Sequence, residues 1–410
     1  MPGNVDKSCA IAALTEGDRI LIGWWEHPDI RQWLEKHAHK YREQLLGLAR
    51  ALTQSGPAVR EAQRAVLKSS SGRICCFVHA ALKRGEKFSR EEIEERTSAL
   101  RPWKACGEPV TAVFVKGEGK TRLTAKLGPN RLCLNYLVRD VLLVMWGMPD
   151  DEYSCSGRGT HRLVQAIMAQ IRRGSDWVGM ADVKDCFPSF RQEGLSKRIK
   201  LPEDVVQYAV FLREDVEVQD HNGFPVAASV RDTLRRGLPQ GTPTSAIISS
   251  LLLADLTRPA AFDEAVFRYA DNLFWLGRDE AGVVATLSTL KQSFGSASAG
   301  ELTLHKISIR NSDDGFKCLG YKVITDPKTD TYVPRLYPCA TAFGRHWARL
   351  QKVLSGVPLH LRQDLALELT EQWRLSWKAW DPSADMIDRV FDQALELASS
   401  LNEFEGAAHK

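Results

Sequence analysis

Apolar residues Ile30, Trp33, Leu34, Tyr41, Leu45, Leu46, Leu48 and Leu52 recur at mostly helical spacing, with Lys, Arg and Glu between them. That pattern predicts an amphipathic helix from Asp29 to about Thr53. Ser55-Gly56-Pro57 ends it, a second helical pattern runs from Ala58 to about Lys68, and Ser69 to Gly72 separates that from the apolar run Ile74 to Leu82. Residues 1–98 therefore read as a helix-rich N-terminal region. Between Pro109 and Ala125 the period shortens to that of a β-hairpin, with Gly117-Glu118-Gly119 as its turn. Helices are predicted over Leu134 to Trp146, from the loop Ser156 to His161 through about Ile171, over Ala246 to Leu256 and over Ala281 to Phe294. Strands are predicted at Trp177, ending near Asp182, and over Phe316 to Val323, and a Lys-bearing turn at Gly300 to Lys306. Val266 to Ala270 and Leu273 to Leu276 form a hairpin broken by Asp271-Asn272, which lifts a carboxylate out of apolar strands. Beyond Leu336 the chain turns helical: His346 to Leu354, Leu359 to Trp380, and Ala384 to Asn402 after the breaker Asp381-Pro382. Trp373, Trp377 and Trp380 recur at near-helical spacing, which favours core packing over base stacking.

Composition adds limits. With 44% hydrophobic and 26% charged residues in 410, the chain can bury a core in two or three packed units. The 55 Lys plus Arg against 51 Asp plus Glu leave a net charge of +4, too mild to identify a nucleic-acid binder by itself. Nine cysteines lie scattered without zinc or redox spacing, as expected of reduced thiols in a cytoplasmic protein. No signal-peptide core opens the chain, and no run reaches the ~18 apolar residues of a membrane span, so no membrane is expected.

Several segments carry candidate chemistry, each with a bland alternative. Trp24-Trp25-Glu26-His27 fits a hydrophobic staple at a helix start; Trp25 and Glu26 also suit base stacking and a hydrogen bond from an exocyclic amine. Lys120 and Arg122 share one face of the returning hairpin strand, which fits either a solvated edge or a grip on a triphosphate. Arg158, in its glycine-broken loop, fits an anion site or a simple connection. Asp182 and Asp185 precede Phe187 in a strand-to-turn segment, an arrangement that caps and turns also produce. Arg235 to Ser245, a Gly/Pro-rich loop opening an apolar helix, suits packing of Gln240 against a base pair, or merely a helix start capped by Thr244 or Ser245.

Taken in order, these segments resemble the reverse transcriptase family. The residues that carry the resemblance are Asp182 with Phe187, Pro239-Gln240-Gly241 with Ser245, Tyr269-Ala270-Asp271-Asn272, Lys306, and Leu319-Gly320. It covers roughly residues 110 to 325. It implies an α+β right-hand polymerase: the helical N-terminal region, fingers at 99–180, palm at 181–338 and a helical thumb at 339–410. Two-metal nucleotidyl transfer needs carboxylates from separate strands to hold ions ~3.5 to 4 Å apart. By resemblance, Asp182, Asp271 and the Val183 carbonyl are the ligands, and Mg²⁺ is the ion because hard cations prefer oxygen. Phe187 would clash with a 2′-hydroxyl and select dNTPs, with Asp185 beside it. Lys120 and Arg122 would grip the triphosphate, Gln240 and Gly241 would line the nascent pair, and Lys306 would protonate the departing pyrophosphate. Trp25, Glu26, Arg158, Ser245, Tyr269, Leu319 and Gly320 are the expected nucleic-acid contacts.

Family members usually carry a second Asp where Asn272 stands. An amide oxygen coordinates a metal more weakly, so altered metal dependence favouring Mn²⁺ is expected. No RNase H, integrase, maturase or endonuclease domain is expected, and no retron-type Asn-Ala-x-x-His element stands between Thr160 and Asp182. The resemblance narrows to bacterial stand-alone, defence-associated reverse transcriptases. That group implies a noncoding RNA template, a DNA product, oligomerisation and a partner that is a second reverse transcriptase or another protein. A retron or intron-derived enzyme and a catalytically weak palm scaffold are the alternatives.

Overall fold

A computed structural model describes residues 28–116, 121–155, 157–193, 195–257, 265–325, 334–377, 379–380 and 384–407. Trp25, Glu26, the hairpin turn and Lys120 lie outside the described residues. In chain order, α1 (Pro28–Ala51), α2 (Gly56–Lys68), α3 (Ser70–Arg84) and α4 (Arg90–Ala99) precede β1 (Val110–Lys116) and β2 (Thr121–Leu127). Then come α5 (Pro129–Trp146), α6 (Gly159–Ile171), β3 (Trp177–Lys184), β4 (Val218–Gln219), α7 (Ala228–Arg235) and α8 (Pro243–Thr257). β5 (Ala265–Tyr269), β6 (Asn272–Gly277), α9 (Glu280–Gly295), β7 (Thr303–Asn311), β8 (Phe316–Cys318), β9 (Tyr321–Thr325) and β10 (Pro334–Pro338) follow. Helices α10 (Ala340–Leu354), α11 (Arg362–Ser376) and α12 (Ala384–Ala407) come last. This mixture of helix and sheet behind a helical N-terminal region has the α+β character expected. No helix among the described residues is long and apolar enough to cross a membrane.

The chain divides into two compact units. The first comprises Met1–Glu152, Asp182–Ala261 and Thr289–His305. In it α3 packs on α5, and α1 on both. The break expected at Ser69 to Gly72 shrinks to one residue, because the Ser69 hydroxyl accepts the Gly72 amide at 2.8 Å and starts α3 at once. Gly72 then lets α1 approach closely: a Cβ there would lie 2.7 Å from the Tyr41 ring. The Tyr41 hydroxyl crosses the interior to donate to Asp140 at 3.1 Å. β2, β1 and β4 form a three-stranded sheet, antiparallel between β1 and β2 and parallel between β1 and β4. Val110, Ala112, Ala125, Leu127 and Val218 of the sheet cluster with Leu212 and Leu234. The outer tip leaves Phe114 60% exposed.

The second unit comprises Tyr153–Ala181, Phe262–Ser288 and Lys306–Lys410. Its main sheet has the strand order β5-β6-β3-β7. Leu163, Val164, Ile167, Met168 and Ile171, one face of α6, pack with Val178, Phe274 and Leu276 of that sheet. Gly179 is obligatory in β3, since a Cβ would lie 2.0 Å from the Trp275 indole. β8, β9 and β10 make a smaller sheet, where sequence pattern predicted one strand over Phe316 to Val323. Trp380 is buried in the core, and Trp373 and Trp377 pack against it, so the tryptophan stripe is core. α11 nevertheless stops at Ser376, four residues short of the predicted end.

His346 of α10 stacks flat on Trp373, with ring centroids 4.5 Å apart, and its Nε2 lies 3.3 Å from the Thr370 hydroxyl. Burial, with a smaller contribution from Arg349, pushes the imidazole down to about 4. The folded state thus prefers the neutral ring, and this contribution is complete above the unfolded value of about 6.5. It is lost as pH falls from there towards 4. Thermal unfolding of the full chain should show wild type losing up to about 3 kcal/mol more than His346→Gln between those pH values.

Candidate active site

In the second unit, Tyr269 pairs with Asn272, so the two-residue loop of the β5–β6 hairpin is Ala270-Asp271 rather than the expected Asp271-Asn272. Asp and Asn are the usual carriers of positive φ, whereas here Ala270 adopts it, at +55°. Asp271 takes the second loop position and Asn272 opens β6. The Asn272 amide donates to Asp271 Oδ1 at 3.2 Å and to the Tyr269 carbonyl at 3.3 Å. Asn272 therefore acts as a donor that braces the carboxylate. Tyr269 is half-buried and packs on the core below.

Asp182 belongs to the first unit and sits two residues before the end of β3, not at its end. His305 Nδ1 lies 3.0 Å from the Asp182 carbonyl oxygen, and its Nε2 lies 3.8 Å from Asp182 Oδ2. A carbonyl only accepts, so Nδ1 carries the proton. The sequence reading missed His305; its only signal was adjacency to Lys306. The predicted Lys-bearing turn from Gly300 to Lys306 runs into β7 at Thr303, and Lys306 itself lies inside the strand, at φ +51°, as a left-handed kink. Both local readings had merit: the backbone is turn-like, but the strand continues through it. Val183, the proposed carbonyl donor, is 1% exposed.

The first unit also ties together the residues expected to meet a nucleotide. Asp185, at φ +45°, leads into a short helical turn, Cys186–Ser189, that carries half-buried Phe187. The Leu238 amide donates to the Phe187 carbonyl at 2.9 Å. Gly237 follows that path closely, since a Cβ would lie 2.2 Å from the same oxygen. The Ala125 amide of β2 donates to the Gln240 carbonyl at 2.8 Å. Gly241, at φ +95°, fits under β2 with its Cβ position 3.3 Å from the Ala125 carbonyl oxygen. β2 also holds Arg122, exposed and paired opposite Val115. Phe187, Gln240, Gly241 and the Arg122 strand are thus linked by two backbone hydrogen bonds.

The start of α8 differs from expectation. Thr242, not Thr244 or Ser245, caps it: its hydroxyl accepts the Ser245 amide at 3.4 Å and lies 2.7 Å from the Ser245 hydroxyl. Ser245 is fully buried and braces the loop, which corrects its expected place on a nucleic-acid surface. Leu319 and Gly320, at φ +46° and +91°, form the two-residue turn between β8 and β9. Arg158 immediately precedes α6.

Carboxylates at Asp182 and Asp271 are the oxygen donors a hard divalent ion prefers. Among the described residues no three His, Cys, Asp or Glu side chains converge as a metal cage. Mg²⁺ commonly binds through one or two carboxylates plus substrate phosphates and water, and each unit offers one such carboxylate, Asp182 in the first and Asp271 in the second.

A model of the reverse transcriptase (RNA-dependent DNA polymerase) family matches residues 115–323, just over half of the chain. No curated protein sequence matches the chain. Among solved structures, apo telomerase from Candida tropicalis, truncated from its C-terminal domain, is similar with a TM-score of 0.38 and 10% identity. That match covers 58% of this chain and 56% of the telomerase chain. The Sicinivirus 3Dpol RNA-dependent RNA polymerase is similar with a TM-score of 0.44 and 12% identity, over 73% of this chain and 65% of the viral one.

Two substitutions test the site's local construction. His305→Ala should weaken Mn²⁺ binding, read by paramagnetic relaxation, roughly 10- to 100-fold, whereas His305→Asn, which can still donate to the Asp182 carbonyl, should recover most of it. Gly241→Ala forces a side chain into a left-handed position against β2 and should lower the unfolding free energy by about 1 to 2 kcal/mol in denaturant titration.

Proposed function

Since the chain belongs to the reverse transcriptase family, we propose that it is an RNA-directed DNA polymerase that adds deoxynucleotides to a 3′-hydroxyl by two-metal nucleotidyl transfer. The observation that carries this reading is the ordered set Asp182 with Phe187, Pro239-Gln240-Gly241 and Tyr269-Ala270-Asp271-Asn272, all within the matched span. Asp182, Asp271 and the Val183 carbonyl hold the ions, with His305 orienting Asp182 and Asn272 bracing Asp271. Two Mg²⁺, or Mn²⁺ in their place, supply Lewis-acid activation of the 3′-oxygen and neutralise the leaving phosphates. Arg122, with Lys120, grips the triphosphate. Phe187 blocks a 2′-hydroxyl, and its backbone bond to Leu238 keeps that block registered with the Gln240 loop that lines the nascent pair. Lys306 delivers a proton to the departing pyrophosphate.

The finer reading is a stand-alone bacterial enzyme of the defence-associated kind, cytoplasmic and oligomeric, using a noncoding RNA and a protein partner. Its support is the helical region α1 to α4, which lies ahead of the matched span. A palm kept chiefly for binding nucleic acid is the second reading, and Asn272 in place of the usual Asp favours it.

Primer extension on an RNA template with dNTPs decides between them. Wild type should make DNA, and Asp182→Ala or Asp271→Ala should reduce synthesis at least ~1,000-fold; a wild type inactive with both metals would reject the polymerase reading. Phe187→Ala should raise ribonucleotide incorporation relative to deoxynucleotide while leaving extension measurable. Asn272→Asp should shift the metal preference towards Mg²⁺, and an unchanged Mg²⁺ to Mn²⁺ ratio would count against a metal role for that position.

A further inference from the structure

The first unit holds an open groove of about 640 Å³ beside the Phe187 turn and the Gln240 loop. Three guanidinium groups, Arg191, Arg235 and Arg236, line it against one carboxylate, Glu301. Arg235 is fixed there by donating to the Glu214 carbonyl at 2.6 Å and the Val216 carbonyl at 3.1 Å. Arg191 and Arg236 are exposed, and among the described residues neither pairs with a carboxylate. The backbone beneath is pinned at both ends. The Arg191 amide donates to Ala299 at 2.7 Å, and Gly237 lies close against Phe187 and Pro188. The groove is therefore preformed.

Its chemistry selects an occupant. Phe190 and Phe211, 2% and 5% exposed, close the wall without offering a ring face for a base to stack on. Fixed and free arginines without aromatic platforms read phosphates and ignore base identity. No residue of β2 lines the groove, so it is separate from the Arg122 strand expected to hold the triphosphate. Neither Asp182 nor Asp271 lines it, and the growing 3′ end must lie at those carboxylates. The remaining strand is the template. We infer that this groove carries the backbone phosphates of the template strand as it passes the Gln240 loop. The inference rests on the polymerase reading for the identity of the strand, while the phosphate track itself rests on the groove.

The test compares wild type, Arg191→Gln/Arg236→Gln and Arg191→Lys/Arg236→Lys in equilibrium binding across a KCl series, without dNTPs. The probes are fluorescein-labelled oligo(rA)·oligo(dT) duplexes with either an rA or a dT single-stranded overhang. With the rA overhang, the Gln double variant should bind more weakly and show a log K against log[salt] slope shallower by roughly 1 to 2, and the Lys variant should recover most of it. The loss should be smaller with the dT overhang, and the dNTP KM in primer extension should stay unchanged. An unchanged slope would overturn the groove assignment. An equal loss on both overhangs would overturn its assignment to the template, and a raised dNTP KM with intact binding would hand the groove to the nucleotide. A wild type that binds these probes but makes no DNA would reject the polymerase reading while leaving the phosphate comparison standing.

Discussion

Left-handed backbone at residues that carry a Cβ is the constraint on which the chemistry-bearing segments depend. Among the described residues, Asp185, Ala270, Lys306 and Leu319 have positive φ, and Lys200 is the only other non-glycine that does. Each such position costs about 1 to 2 kcal/mol and persists only when its surroundings hold it. Asp185 opens the Phe187 turn, Ala270 presents Asp271, Lys306 kinks β7 one residue after His305, and Leu319 turns β8 into β9. Strain of this kind sets directions that regular strands cannot reach.

Hydrogen bonds through the backbone then hold those directions in place. Ala125 to Gln240 joins the hairpin of the first unit to the loop before α8, and Leu238 to Phe187 joins the same loop to the turn after β3. Because peptide groups make both bonds, side chains on these segments can change without uncoupling them. Gly237 completes the arrangement by permitting an approach that a Cβ would block, and Gly241 by taking a left-handed φ of +95° close under β2. A rigid scaffold of this sort suits residues whose work is positioning charge rather than forming covalent bonds.

Much of the architecture was legible in the sequence, because period-two and helical patterns survive wherever one face is buried. The helices at Pro28 and Glu280 appear where the apolar spacing placed them, the one predicted from Leu134 begins five residues earlier at Pro129, and both hairpins form, the β5–β6 loop shifted by one residue. The misreadings share one origin. Asp and Asn at the β5–β6 hairpin suggested the turn, but Ala270 bears the positive φ; Lys306 suggested a turn, but a strand passes through it; Leu319-Gly320 looked like strand, but it is a turn. At Ala270, Lys306 and Leu319 the backbone takes a left-handed φ that the side chain itself disfavours, so residue type does not announce it. Ser245 matched a motif, yet its burial gives it a bracing role. His305 escaped notice because contact across strands leaves no mark at short sequence spacing.

Asn272 now has a concrete place: it donates to Asp271 instead of adding a second negative charge beside it. That lowers like-charge repulsion at the hairpin tip. The most direct measurement is Mn²⁺ affinity, by electron paramagnetic resonance, of wild type, Asp182→Ala, Asp271→Ala and the double variant with a bound dNTP. A shared centre predicts that each single variant loses about as much affinity as the double. Additive losses, or full affinity retained in either single variant, would contradict it.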